Sequence, residues 1–533
     1  MTMAFTRLKL VALATLFAVG TAAVAHAETV LRRGNGADPQ TLDPQKLEGV
    51  PEFNVTADLF EGLTTYDAKA NVVPGAAESW DISDDGLVYT FHLRKDGKWS
   101  NGEPLKADDF VYAFRRAVDP VTASPYAYML EPVVNAKEIT AGTQADITQL
   151  GIKALDDYTV QITLTAPTAH FLQLTRHNIS FPVNKAVVEK FGKDWTRPEN
   201  IVSNGPYKLA EWTPQASLTM VKNPNFHDAA NVKLDKIVYY PTEDISEEFK
   251  RFRANELDVT NEVPTDQVPT IKKEFAKEFH NEPYLGTYYY AVNLTRDPLG
   301  KDSKLREALA LAINRDVIVE KITQAGEVPA YSWVPPGMPG YQQQFVDYKD
   351  MTQKDRETLA KKLYKEAGYG PDKPLKVEIL YNTSESHKKI AIAIQNMWKK
   401  VLGAETTITN QEWKVFLDTR SKKEFQVTRA AWIGDYVDPY TFEQMFLSDA
   451  GTQNDPGYAS KDYDGLLQQA QKTVDQPARL KMMQKAEKMF LDDNAIIPIY
   501  HYNTKHLVSS RVSGWDFNLL DIHLGRYMTV AAQ

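Results

Sequence analysis

With 533 residues, 43% of them hydrophobic and 11% aromatic, the chain can bury the cores of two or three domains. Its formal net charge of −9 argues against nucleic acid as a partner, because phosphate binding wants a basic face. No cysteine occurs anywhere, which excludes disulfides, thiolate metal sites and a lipid-modified cysteine at a processed N-terminus.

Arg7 and Lys9 precede an apolar run from Leu10 to Val19, and the small-residue triplet Ala25-His26-Ala27 follows. That order is the pattern of a secretory signal peptide over residues 1–27, too short for a membrane span. The chain is therefore expected to begin at Glu28 once processed and to work, unanchored, in the periplasm of a Gram-negative cell.

A first strand is predicted over Thr29–Arg33 and a helix over Asn54–Leu63. Gly34-Asn35-Gly36 opens like a nucleotide-binding turn, but no third glycine follows at the required spacing and no βαβ unit surrounds it. After the turn at Asp85-Gly86, the residues Leu87, Tyr89, Phe91 and Leu93 alternate with polar ones, as in a hairpin with one apolar face. Asp81, Ser83, Asp85 and Gly86 imitate the start of an EF-hand loop. His92 stands where the twelfth-position glutamate is needed, so a turn is expected and calcium is not.

Phe110, Val111, Phe114, Ala117 and Val118 recur at helical spacing between Asp108 and the stop at Asp119-Pro120. A second amphipathic helix is predicted over Lys304–Ile322. From Leu375 to Asn410 the pattern is strand, helix, strand, with Ile390, Ile394, Met397, Trp398 and Val401 on one side of the helix; this is a βαβ unit of a lobe with a parallel sheet. Two extended, aromatic-rich stretches, Leu285–Leu294 and Ile496–Val508, lie far apart in sequence.

The stretch Thr428–Pro439, TRAAWIGDYVDP, runs a hydrophobic strand straight into Asp435, flanked by Trp432 and Tyr436. A lone carboxylate among aromatics suits capture of a small ammonium group, since a desolvated charge needs a partner of opposite sign. On the residues alone, a turn or helix-capping aspartate fits the same position. There is no H-E-x-x-H, G-x-S-x-G or P-loop, so no enzyme chemistry and no cofactor is expected; a secreted hydrolase using paired carboxylates is the alternative left open by 70 acidic residues.

Thr428–Pro439 resembles the corresponding segment of periplasmic oligopeptide-binding proteins, the family 5 extracellular solute-binding proteins of peptide ABC transporters. The block Asp58–Pro120 and the stretch Lys304–Ile322 resemble the same family. The resemblance implies an α/β, periplasmic-binding-protein-like fold (class II, cluster C), with two lobes around a ligand cleft plus an extra small α+β domain. The first lobe would combine residues 28–60, 186–285 and 503–533, the extra domain 61–185 and the second lobe 286–502, with the two aromatic stretches as the crossings between lobes.

By the same resemblance Asp435 receives the α-amino group of a peptide. Leu47–Pro51 and Ala430–Ile433 offer backbone groups, placing Glu48, Gly49, Val50, Ala431 and Ile433 beside the ligand. Tyr126, Tyr284 or Tyr290, Trp413 and Trp432 form aromatic walls, and His501 lies on the second crossing. Arg420, Arg429 and His387 match positions that put positive charge at different depths for peptide carboxylates. Gly286 and Ile433 stand where some members carry a cysteine pair, Asn261-Glu262 replaces an aromatic-amide pair, and Thr323 replaces a lysine, so the longest peptides are expected to bind weakest. The implied function is non-enzymatic: a monomer binds short peptides, closes, and delivers them to an inner-membrane ABC permease and its ATPase subunits. GTYYYA and RAAWIGDY are also similar to the murein-tripeptide-binding branch, which makes a cell-wall peptide the alternative ligand, and a periplasmic chaperone or sensor partner is compatible with the same fold.

Overall fold

The computed structural model describes residues 28–531 apart from 169 and 474, so the expected signal peptide lies outside the described residues. Three sheets carry the architecture. The first has the order Val30–Gly34, Lys236–Tyr240, Ser217–Lys222 and Tyr207–Thr213. Val30–Gly34 pairs parallel with Lys236–Tyr240, two hundred residues on, and Val259 bridges to Val508. Its core joins Leu31, Val55, Tyr207, Ile237, Val508 and Val530, so early, middle and terminal parts of the chain share one hydrophobic cluster. The helix expected over Asn54–Leu63 runs instead from Val50 to Leu59. Pro51 sits in its first turn, where the missing N–H needs no acceptor and the fixed φ already suits a helix.

The second sheet is antiparallel, in the order Ala77–Ile82, Val88–Leu93, Thr159–Thr163, Ile152–Asp156. Tyr89, Phe91 and Leu93 bury alternately against the helix Ala107–Val118. Gly86, at φ +69°, makes the turn, and Asp85 Oδ1 accepts from Ser83 Oγ and from the Leu87 N–H at 3.0 Å. That carboxylate is committed to its own turn.

The third sheet has six strands in the order Val328–Pro329, Ile496–Asn503, Pro283–Val292, Val427–Ile433, Lys376–Asn382, Glu405–Gln411. The last two are parallel and joined by the helix Glu385–Leu402, which buries Ile390, Ile394, Trp398 and Val401. Pro283–Val292 is covered on both faces, with Tyr288, Tyr289 and Tyr290 fully buried. The first aromatic-rich stretch falls in this strand, and Ile496–Asn503 of the second is its antiparallel neighbour, paired from Ala291–Ile496 to Pro283–Asn503.

The single helix expected over Lys304–Ile322 is broken into Ser303–Leu311, Arg315–Val317 and a π-turn Ile318–Thr323. The Asn314 side chain caps the Val317 N–H, and the buried Arg315 guanidinium donates to the carbonyls of Pro498 and Ala310. A cap and a buried charge restart the helix where hydrophobic period alone runs on.

Candidate ligand-binding cleft

A cavity of about 360 Å³ lies between Glu48–Pro51, where the loop enters the helix Val50–Leu59, on one side and the strand Val427–Ile433 on the other. Of the side chains expected beside the ligand, all line it except His501 and Tyr290, the latter fully buried inside the sheet while its alternative Tyr284 reaches the wall. Tyr500 and Tyr502 reach the wall, whereas His501 turns to the other face of the strand. There it hydrogen-bonds Thr287 Oγ1 and Ser332 Oγ, each at 3.0 Å, and burial pushes its pKa down to about 3. It is a neutral core histidine.

The strand Val427–Ile433 is paired along its whole length with Pro283–Val292, but with Lys376–Asn382 only at Val427 and Thr428. From Arg429 onward its second edge has no strand partner among the described residues and faces the cavity. An edge of free N–H and C=O groups is what an extended chain can pair with. Opposite it, Gly49 sits at φ +106°, and a Cβ there would come within 2.8 Å of the Trp413 ring. Only glycine lets this loop approach so closely.

Asp435 follows that strand. Its side chain is 7% exposed, Oδ1 is 3.4 Å from His177 Nε2, and Oδ2 faces Thr441 Oγ1 at 3.4 Å. The neighbouring Arg176 is buried, with its guanidinium 4.5 Å over the Tyr66 ring. Burial lowers the pKa of Arg176, and the fields of Tyr66 and Asp435 oppose that shift. Arg176 and His177 were invisible to sequence reasoning, because nothing in TRHNIS repeats or matches a motif.

The basic residues divide differently from expectation. Arg420 is not a free cation: its guanidinium is ion-paired with Glu48 from across the cleft, and its Nε lies 3.1 Å from Asp455. Burial raises the pKa of both acids against the pull of Arg420. His387 is not a cation either, since burial, then Arg429 and Lys505, drive its pKa well below the ordinary imidazole value. Arg429 is the contrast. It donates to Asn382 Oδ1 and to Tyr502 Oη at 3.1 Å, lies 5.0 Å from the Tyr288 ring centre, and has no carboxylate within ion-pair distance among the described residues. Its Nε has no hydrogen-bond partner there. The partners of Asp435, His177 and Thr441, and those of Arg429, Asn382 and Tyr502, are different residues, so a carboxylate stands past one end of the strand and a cation at its other, basic end.

The cleft is shut. Besides Glu48 and Arg420, Asp38 pairs with Lys414 at 3.3 Å, Asp266 with Lys389 at 3.4 Å, and the Val437 N–H donates to Gln173 at 3.2 Å.

Residues 71–454 match the family model described as bacterial extracellular solute-binding proteins, family 5 Middle. The chain is 43% identical over 488 residues to the periplasmic oligopeptide-binding protein of Escherichia coli, covering 91% of this chain and 89% of that one. Among solved structures it is similar to the E. coli murein tripeptide binding protein, with a TM-score of 0.93, 38% identity and coverage of 95% and 99%. The unliganded open form of that protein gives 0.66. It is also similar to the Haemophilus influenzae oligopeptide-binding protein in complex with RPPGFSPFR, at 0.91 and 38%, covering 95% and 99%.

Proposed function

This chain belongs to the family 5 bacterial extracellular solute-binding proteins, and we propose that it captures short oligopeptides in the periplasm, closes around them and delivers them to an inner-membrane ABC permease driven by ATPase subunits. It does so without catalysis, as a monomer, after export through the signal peptide 1–27. Residues 28–60, 186–285 and 503–533 form one lobe, 61–185 the extra domain and 286–502 the second lobe, hinged at the paired stretches around Pro283 and Asn503.

The observation that carries this reading is the half-paired strand Arg429–Ile433 with Asp435 at one end and Arg429, without a carboxylate partner, at the other. A peptide presents the complement: an ammonium, a backbone of alternating donors and acceptors, and a carboxylate. Pairing along the strand edge reads the backbone, which all sequences share, while the two end charges fix direction. Trp413, Trp432, Tyr126 and Tyr284 supply apolar walls at little rotamer cost, which suits varied side chains. Relatives that match across nine-tenths of the chain carry oligopeptide-binding names, and one neighbour is in complex with the peptide RPPGFSPFR.

Calorimetry with trialanine and its N-acetylated form tests the reading; equal affinity for both, or binding of neither, overturns it. The TM-score of 0.93 to the murein tripeptide binding protein favours a second reading, a cell-wall peptide as ligand. Mass spectrometry of ligand released from the purified protein separates the two, since diaminopimelate has a mass that no common residue shares. Incubation with a peptide library, read for cleavage, tests the absence of catalysis.

A further inference from the structure

Lys505 sits in the turn between the strands Ile496–Asn503 and His506–Leu507 and lines the cavity with a side chain that is 3% exposed. Its Nζ lies 2.8 Å from Glu327, 3.4 Å from the Asn503 carbonyl, 3.7 Å from Glu262, and 5.7 Å from the centre of the Tyr502 ring. These contacts are of two kinds. Glu327 is a fixed countercharge: it is buried, and its other oxygen accepts from Thr323 Oγ1 at 2.8 Å and from the Ala325 N–H at 3.1 Å. Glu262 is loose. Its side chain is 32% exposed, it lies on the cavity wall, and 3.7 Å is beyond hydrogen-bond length.

An ammonium has three donors, and here one is held by Glu327 and one weakly by the Asn503 carbonyl. The third has only Glu262, beyond hydrogen-bond length, on the cavity wall that Lys505 lines. Thr323 is uncharged, and its hydroxyl is committed to Glu327. The position is also informative: His387 has Arg429 and Lys505 as its two cationic neighbours, so Lys505 belongs to the basic end of the cleft.

We propose that Lys505 is a second carboxylate receptor of the cleft, reached by longer peptides than those that end at Arg429, with Glu262 holding its place until such a peptide arrives. The proposal rests on the peptide reading above and adds what sets the upper length. Each added residue of an extended ligand carries its carboxylate about 3.3 Å further from Asp435. A short ligand ends at Arg429. A longer one displaces the part-exposed carboxylate of Glu262 and puts its own in the same field, so the charge balance around Lys505 and Glu327 is unchanged. On this account the threonine at 323 does not leave the longest peptides without a cation.

The test is calorimetry over an alanine series from two to six residues, with wild type, Glu262→Gln, Lys505→Met and the double variant Lys505→Met/Glu327→Gln. The double variant removes the buried acid together with its cation, so a folding defect from an unpaired carboxylate is avoided. Expected are a loss of about ten-fold or more for the longest peptides in the double variant, a change within about two-fold for di- and tripeptides, and a gain for the longest peptides in Glu262→Gln. One common factor at every length in the double variant, or no change at any length, overturns the assignment of Lys505. Absence of binding by the wild type at every length overturns the peptide reading with it.

Discussion

The Asp435 carboxylate stands 3.4 Å from His177 Nε2, and Nε2 has no hydrogen-bond partner among the described residues. Two buried polar groups face each other with capacity for a third. A peptide ammonium carries three donors and can lie beside the pair within reach of both, so Asp435→Asn is expected to cost about 3 kcal/mol or more in binding free energy for unblocked tripeptides. N-acetylated peptides should be insensitive to the same substitution. Calorimetry on both forms reads the difference.

Arg420 has a different fate. Glu48 and Asp455 hold it from both sides of the closed cleft, so Arg420→Ala leaves two buried acids without a cation. The expected result is a loss of stability of about 3 kcal/mol or more, partly restored by adding Asp455→Asn, with no change in the order of affinities across peptide lengths. Urea unfolding of the single and double variants, beside the length series, checks it.

How much of this was legible in the sequence depended on whether neighbours in space were neighbours in the chain. The hairpin face of Tyr89, Phe91 and Leu93 and the helix face of Ile390, Ile394 and Trp398 are periodic, and periodicity is local. Asp435 was legible because a strand, aromatics and the carboxylate follow one another within a dozen residues. The triad of Glu48, Arg420 and Asp455 was not, since Glu48 comes from a segment hundreds of residues before the other two and reaches Arg420 from across the cleft. His501 was misread because the strand alternates: its neighbours Tyr500 and Tyr502 reach the cavity, and it faces the core. Lys505 carried no signal in its own segment, and only the proximity of Glu327 and Tyr502 marks it.

Acid titration offers a check on the loop that approaches Trp413. Glu52, fully buried behind Gly49, accepts from the Gln40 N–H at 2.7 Å, and burial raises its pKa from 4.5 to about 8. An acid with a raised folded pKa binds its proton more tightly in the folded state. Its contribution is therefore fully present below pH 4.5 and is lost as pH climbs towards 8, with a slope of about 1.4 kcal/mol per unit. Glu52→Gln keeps the acceptor and removes the titration. The variant should gain on the wild type in urea unfolding as pH rises from 5 to 8; a constant difference across that range would show that Glu52 does not titrate there.

Closure should be visible in solution. The chain matches the murein tripeptide binding protein at a TM-score of 0.93 and its unliganded open form at 0.66, and three acid–base pairs bridge the two sides of the cleft. In each pair the acid comes from the side of Glu48 and the base from the side of Arg420. Saturating peptide should shrink the radius of gyration in scattering and shift the emission of Trp413 and Trp432, which line the cavity. Unchanged scattering would argue for a rigid site.

The last prediction concerns the near end of the carboxylate path, where Arg429 and His387 differ in charge. Arg429 is held by neutral partners, Asn382 and Tyr502, so its full charge is available to an incoming carboxylate, and a planar guanidinium can take one in two bonds. His387 is kept neutral by burial and by the two cations beside it, and its Nδ1 faces the Tyr288 hydroxyl at 3.5 Å. A neutral imidazole contributes shape and at most one hydrogen bond. Arg429→Met should therefore weaken di- and tripeptides about ten-fold or more, while His387→Gln changes them by no more than about three-fold. A carboxylate bound beside His387 would raise its pKa, so wild-type affinity for these peptides should strengthen as pH falls towards 5, and His387→Gln should lose that pH dependence. Equal losses from the two substitutions at neutral pH would mean that the imidazole carries charge in the complex and that the basic end is shared rather than led by Arg429.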